Sequence, residues 1–246
     1  MTFPIDISFG NIVIPSHALF ELLAFFIGYR YFLYIRRSKT QDILSPYAET
    51  MIIIGMAVGA FVGSRLIASL ENLELFMNPT SLLYYFASQT IAGGIIGGFI
   101  GVEIVKKIMG INRKTGDLFV YPLILGIIIG RIGCFLKGVS DGTVGNVSNL
   151  PWAFDQGDGL PRHPTSLYEI LFLILIWIFL KWIEKRQILK NGDLFSVFML
   201  LYLLFRVFVE FIKPFNSLVL NLSSIQIFSV LVVIYYCLYF IKRYKS

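Results

Sequence analysis

Seven apolar runs, each close to the length that a helix needs to cross a bilayer, constrain this chain more than any other feature. A helix rises 1.5 Å per residue, so about 20 apolar residues cover the roughly 30 Å of hydrocarbon. Such runs lie near residues 16–35, 51–70, 81–105, 118–136, 166–183, 194–212 and 224–241. Composition agrees, with 57% of residues hydrophobic and 15% charged, against roughly 45–50% and about 25% in a soluble domain. The sequence therefore predicts an all-α polytopic membrane protein with seven transmembrane helices. No linker-like stretch or composition shift divides it, so a single seven-helix membrane domain is expected over residues 1–246. Residues 1–15 carry Asp6 and no basic cluster, so a cleavable signal is not expected and the first span should remain.

The basic residues between the runs are uneven. Arg36, Arg37 and Lys39 follow the first, Lys106, Lys107, Arg113 and Lys114 the third, Lys181, Lys185, Arg186 and Lys190 close the fifth, and Lys242, Arg243 and Lys245 end the chain. The opposite side holds Lys137, Arg162 and Lys213. Lys and Arg favour cytoplasmic loops, so the N-terminus is expected outside and the C-terminus in the cytoplasm. The net charge of +6 then reads as the basic edge of loops facing anionic lipid rather than a nucleic-acid surface. Cys134 and Cys237 lie far apart without CxxC spacing, which supports neither a disulfide framework nor a metal site.

Polar residues at membrane depth carry the functional expectations. Gly130-Arg131-Ile132-Gly133-Cys134-Phe135 ends the fourth run and Arg162-His163-Pro164-Thr165-Ser166-Leu167-Tyr168-Glu169 opens the fifth. Ionisable groups there are costly unless they face a protein interior or wet cavity, which makes them site candidates. In the expected topology Arg131, the loop 137–163, Glu169, the Glu210 end of the sixth span and both histidines, His17 and His163, approach the extracytoplasmic face. Either histidine is a candidate base, and either also serves as an interfacial anchor in the blander reading. Arg206 and Glu210 are four apart and share a helix face. Arg65 follows Gly55, Gly59 and Gly63, a small-xxx-small spacing, and its structural reading is a hydrogen bond across that helix contact. Gly93, Gly94, Gly97, Gly98 and Gly101 imply tight packing or a kinked helix beside a cavity. Glu21, Arg30 and Glu103 need do no more than snorkel. The intramembrane arginines point to a shared polar cavity opening outward. Residues 137–163 are expected to form an extracytoplasmic cap loop, with turns at Asp141-Gly142, Gly145-Asn146 and Gly157-Asp158-Gly159 and an apolar stretch, Leu150-Pro151-Trp152-Ala153-Phe154, at headgroup level.

These motifs resemble the prolipoprotein diacylglyceryl transferase family. Beside the two stretches around Arg131 and Glu169, the likeness takes in Gly59-Ala60-Phe61-Val62-Gly63-Ser64-Arg65-Leu66, Gly93-Gly94 after Ile91-Ala92, Arg206-Val207-Phe208-Val209-Glu210-Phe211 and Leu222-Ser223-Ser224-Ile225-Gln226, in the family's order. It covers most of the chain from the second span onward. The resemblance implies an enzyme of the bacterial cytoplasmic membrane that moves the diacylglyceryl group of phosphatidylglycerol to the lipobox cysteine of a preprolipoprotein signal peptide. It implies a phosphate-holding role for Arg131 and Arg206, with Glu210 orienting Arg206. Arg65, Tyr168, Glu169, Gly93, Gly94 and Lys213 would line the substrate side. No metal or organic cofactor is expected, and the partners are phosphatidylglycerol, the signal peptide and the bilayer.

The departures are specific. Where the family has His-Gly-Gly, this chain has Ala92-Gly93-Gly94, and Ala92 cannot accept a proton. Where it continues Gly-Asn-Phe-Ile-Asn-Gly-Glu, this chain has Gly133-Cys134-Phe135-Leu136-Lys137-Gly138-Val139, and Lys213 replaces the usual Arg. Either His17 or His163 supplies the base, or the thiol ionises near Arg131 without one. Alternatively, a divergent relative serves another acceptor, or the chain is a lipid-binding or transport protein without covalent chemistry.

Overall fold

The computed structural model describes residues 3–10, 12–38, 44–70, 88–214 and 221–245. Among these the chain runs through strands β1 (Ile7–Phe9) and β2 (Ile12–Ile14), then helices α1 (Ser16–Ser38), α2 (Pro46–Ser69), α3 (Ile91–Ile108) and α4 (Val120–Lys137). Strands β3 (Phe154–Asp155) and β4 (Pro161–Arg162) follow, then α5 (Thr165–Lys185), α6 (Leu194–Glu210) and α7 (Ser224–Lys245). Among the described residues, five segments are long and apolar enough to cross a membrane: Ser16–Ser38, Pro46–Ser69, Gly116–Asp141, Thr165–Lys185 and Ser224–Lys245. This is a helical, multi-pass membrane protein. Of the other two helices, α6 has 17 residues, and α3 carries Glu103, Lys106 and Lys107. The third run was expected from residue 81; residues 81–87 lie outside the described residues, and the described helix starts at Ile91.

The described residues fall into two compact units: those within Met1–Lys39, Lys114–Tyr202 and Phe211–Pro214, and those within Thr40–Arg113, Leu203–Glu210 and Phe215–Ser246. In the first, α4 packs between α1 and α5. Phe32 stacks on Phe119 at 4.6 Å, and Trp177 bridges Tyr31 and Tyr121 at 5.9 and 5.2 Å. Ile124, Leu173, Leu180, Phe198, Met199 and Tyr202 are fully buried beneath them. At one end Asp117 accepts from the backbone N–H groups of Gly192 (2.7 Å) and Phe195 (3.0 Å), satisfying the start of α6.

At the other end a close approach brings α1 against the last turns of α4. A side chain at Gly133 would meet Phe20 Cβ at 2.8 Å and His17 Cα at 3.3 Å, so only glycine admits the start of α1 there. Gly138 stops α4 at φ 65°, a backbone region that glycine reaches without strain. The chain then turns through Gly138–Asp141 and returns over the helix end. Asp6 caps α1 by accepting from Ser16 N at 3.0 Å.

The second unit is built on α2 and α3. A Cβ at Gly55, Gly59 or Gly63 would overlap the backbone of Gly101, Gly97 or Gly93, and the reverse holds. The two backbones therefore touch along three turns, which is the tight-packing alternative. Thr90 caps α3 by accepting from Gly93 N (3.2 Å) and donates from both its N–H and hydroxyl to Ser64 O (3.2 and 3.3 Å). Ser223 and Gln226 form a reciprocal cap at α7: Ser223 Oγ accepts from Gln226 N (3.1 Å) and Gln226 Oε1 from Ser223 N (2.9 Å).

Candidate active site

Arg131 lies in the last turns of α4 with 4% of its surface exposed, and Glu169, 2% exposed, lies near the start of α5. Arg131 Nη2 donates to Glu169 Oε2 across 2.8 Å, and Tyr202 donates to the other carboxylate oxygen, Oε1, at 2.8 Å. A charge-assisted bond in a dry interior is the strong kind, and each partner neutralises the other. The guanidinium is not consumed by this pair: Arg131 Nε–H is buried without an acceptor among the described residues. Glu169, which the resemblance sets on the substrate side, is the buried counter-ion that fixes Arg131.

One turn beyond Arg131, Cys134 Sγ lies 3.7 Å from Arg131 Nη1 and 3.8 Å from His17 Nε2. His17 Nε2 is in turn 3.2 Å from Asp141 Oδ1. These groups come from the first turn of α1, the last turn of α4 and the turn after it. Their meeting depends on the Gly133 contact and the Gly138 reversal. Spacing gave no hint of it, because 117 residues separate His17 from Cys134, and Asp141 read as a turn former.

His163 is placed elsewhere in the same unit. Its Nδ1 is 3.1 Å from Tyr168 Oη, which accepts a 2.7 Å bond from Trp152 Nε1. Loop 137–163 is tied down by a hairpin pairing Phe154 with Arg162 and Asp155 with Pro161. In its turn, Gly157 and Gly159 have φ of 116° and 78°, as the Gly157-Asp158-Gly159 turn signal implied. Asp155 Oδ1 accepts from the N–H groups of Gly157, Asp158 and Gly159 at 2.8, 3.0 and 2.9 Å. Those backbone bonds, from Gly157 above all, hold the Asp155 carboxyl below the usual carboxylate range. Arg162, 2.7 Å from Asp158 Oδ2, does the same for Asp158. Within this loop Val147, Leu150, Trp152 and Leu160 are exposed.

The remaining expected residues divide between the units. Lys213, in the first, is buried. In the second, Arg206 Nη2 pairs with Glu210 Oε2 at 3.0 Å, both almost fully buried, as their shared helix face implied. Arg65 differs from expectation. Its Nη1 reaches Phe61 O (3.5 Å) and Ser64 Oγ (3.3 Å) on its own helix, and its guanidinium stacks 3.8 Å over Phe61. The bond across the glycine contact comes from Thr90 instead. Gly93 meets the Gly63 and Ser64 backbone closely, whereas Gly94 faces Ser64 Cβ with ordinary clearance at 3.7 Å. Ala92 is fully buried.

Residues 4–242 match the family model described as prolipoprotein diacylglyceryl transferase. The chain belongs to that family. Among curated relatives, the phosphatidylglycerol–prolipoprotein diacylglyceryl transferase of Mannheimia succiniciproducens is 31% identical over 219 residues, covering 85% of this chain and 79% of the relative. The enzyme of that name from Solidesulfovibrio magneticus is 32% identical over 230 residues, 85% and 81%. The one from Dehalococcoides mccartyi is 28% identical over 249 residues, 99% and 94%. The Gly130–Phe135 stretch and its buried Arg131 lie within the residues that match the family.

Proposed function

We propose that this protein transfers the sn-1,2-diacylglyceryl group of phosphatidylglycerol to the lipobox cysteine thiol of a preprolipoprotein. The thiolate sulfur attacks the glyceryl carbon that bears the phosphate and forms a thioether. The carbon–oxygen bond breaks, its electrons stay on the phosphate oxygen, and glycerol 1-phosphate leaves. What the protein must supply is a fixed cation for the leaving phosphate and a route for the thiol proton. The observation that carries the reading is Arg131: an always-charged fork, locked by Glu169, with one buried N–H left for an anionic ligand. Arg206, oriented by Glu210, is the second guanidinium assigned to phosphate handling through its place in the family motif. Arg65, Lys213, Tyr168, Glu169, Gly93 and Gly94 are the substrate-side assignments.

Of the two histidines, His163 is the one assigned to proton transfer, since Tyr168 fixes its Nδ1 and leaves Nε2 to work. The thiol that Ala92 cannot deprotonate ionises beside Arg131 or toward His163. The charge pattern supports seven crossings of a bacterial inner membrane with the N-terminus outside and the site on the extracytoplasmic side. Residues 1–246 would then act as one membrane domain under the 137–163 cap. The supporting geometry is that the start of α1, the end of α4 and the start of α5 meet at one end of the first unit, while Lys114, Asp117 and Lys181 sit at the other.

The test is purified protein in detergent with phosphatidylglycerol and a lipobox peptide. The peptide should gain the mass of one diacylglyceryl unit as glycerol 1-phosphate appears. No gain under conditions in which another family member turns over the same peptide overturns the reading.

A further inference from the structure

His17 Nε2, Cys134 Sγ and an Asp141 carboxylate oxygen all lie within 4.8 Å of one another. Zinc bonds of about 2.3 Å to sulfur and about 2.0–2.2 Å to nitrogen or oxygen imply tetrahedral edges of roughly 3.6 Å from N to S and roughly 3.3 Å from N to O. The measured edges are 3.8 Å from His17 Nε2 to Cys134 Sγ and 3.2 Å from His17 Nε2 to Asp141 Oδ1. Both fall within a few tenths of an ångström of what one ion would require.

The surroundings of the three groups leave room for an ion. A metal-bound histidine commonly turns its other ring nitrogen to a carboxylate, which fixes the ring and raises its basicity. His17 Nδ1 faces Glu21 Oε2 at 4.0 Å, an ion-pair separation longer than a hydrogen bond. Asp141 Oδ2 accepts from Thr143 Oγ1, leaving Oδ1 directed at the cluster. Arg131 Nη1 lies 3.7 Å from Cys134 Sγ. The His17 side chain is 22% exposed, which gives an ion a way in. Lys137 Nζ, 3.6 Å from Asp141 Oδ1 and partly exposed, is the cation that an ion would displace.

We propose that His17, Cys134 and Asp141 form a divalent-metal site of the zinc class, with a fourth position open. One nitrogen, one thiolate and one carboxylate suit zinc or cobalt, whereas magnesium and calcium take oxygen ligands throughout. Binding transfers the Cys134 thiol proton to solvent and changes no oxidation state. All three groups belong to the first unit, and ion binding there does not depend on the transferase reaction.

The full chain in detergent, stripped with a chelator and dialysed against zinc, should retain about one zinc per molecule by elemental analysis. Cobalt in its place should give a thiolate-to-cobalt charge-transfer band. Cys134→Ser should abolish that band and Cys237→Ser should leave it unchanged. Lys137→Ala, which removes the cation beside Asp141 Oδ1, should strengthen zinc binding. If wild-type protein retains no more zinc than Cys134→Ser, or its cobalt spectrum lacks the thiolate band, the site does not exist.

Discussion

Arg131 and Glu169 form a 2.8 Å ion pair in which each partner is almost wholly removed from solvent. Removing one partner strands the other charge, at a cost of about 3–5 kcal/mol, whereas replacing both with apolar residues is often close to neutral. Arg131→Met and Glu169→Met should therefore each lower thermal stability in detergent, and the double variant should recover most of the loss. None of the three should transfer lipid, because the cation is absent or misplaced. Recovery of activity alongside stability in the double variant would mean that Arg131 is structural only.

Gly93 and Gly94 separate packing from substrate contact. A methyl at Gly93 would sit 2.5 Å from Gly63 O and 2.7 Å from Thr90 Oγ1, while one at Gly94 finds 3.7 Å of clearance. Overpacking costs about 1–3 kcal/mol, so Gly93→Ala should lower the unfolding temperature and Gly94→Ala should not. Any activity lost by Gly94→Ala then reports on substrate, since the fold is unaffected. Equal destabilisation by both would contradict the close approach of α2 and α3.

The helices were legible because apolar run length and helix length are the same constraint in lipid. α2 starts earlier than hydropathy suggests because its first turn, with Pro46 and the charged Glu49, is not apolar, yet Ser45 caps it and proline is tolerated in a first turn. The Gly55, Gly59 and Gly63 spacing was readable as a packing face, and Arg206 with Glu210 as an i, i+4 pair. Arg131's partner was not readable, since nothing local to α4 names a residue on α5. The His17, Cys134 and Asp141 cluster was hidden for the same reason. Cys134 looked like the loss of an amide and Asp141 like a turn, and only the tertiary contact at Gly133 joins them.

The hairpin pairing Phe154–Asp155 with Pro161–Arg162 should loosen in acid. Asp155 and Asp158 both have carboxyl groups held below their ordinary range by bonds that favour the charged form. Their contribution is complete above the ordinary carboxylate value of about 4 and is lost as pH falls through the lower folded values. Amide exchange of residues 156–160, corrected for intrinsic rates, should rise as pH drops from about 5 to about 2. Asp155→Asn should show much of that increase already at neutral pH. Protection that is flat across this range would detach both carboxylates from the stability of the turn.

Tyr168 joins Trp152 of the 137–163 loop to the proposed proton-transfer residue. Its hydroxyl oxygen takes the Trp152 N–H at 2.7 Å and meets His163 Nδ1 at 3.1 Å. Tyr168→Phe removes both contacts with little change in shape. Trp152 is exposed enough for water to replace its bond, so the stability loss should stay at about 0.5–1.5 kcal/mol. The His163 ring, however, loses what orients it. A positioned acid or base contributes about 10²–10⁴-fold, so His163→Ala should lower kcat within that range, and Tyr168→Phe should lower it by a smaller factor with KM for phosphatidylglycerol little changed. The double variant should be no slower than His163→Ala alone, because Tyr168 acts through the ring. Additive losses would place Tyr168 on the substrate itself, and an unaffected kcat in His163→Ala would remove His163 from the chemistry.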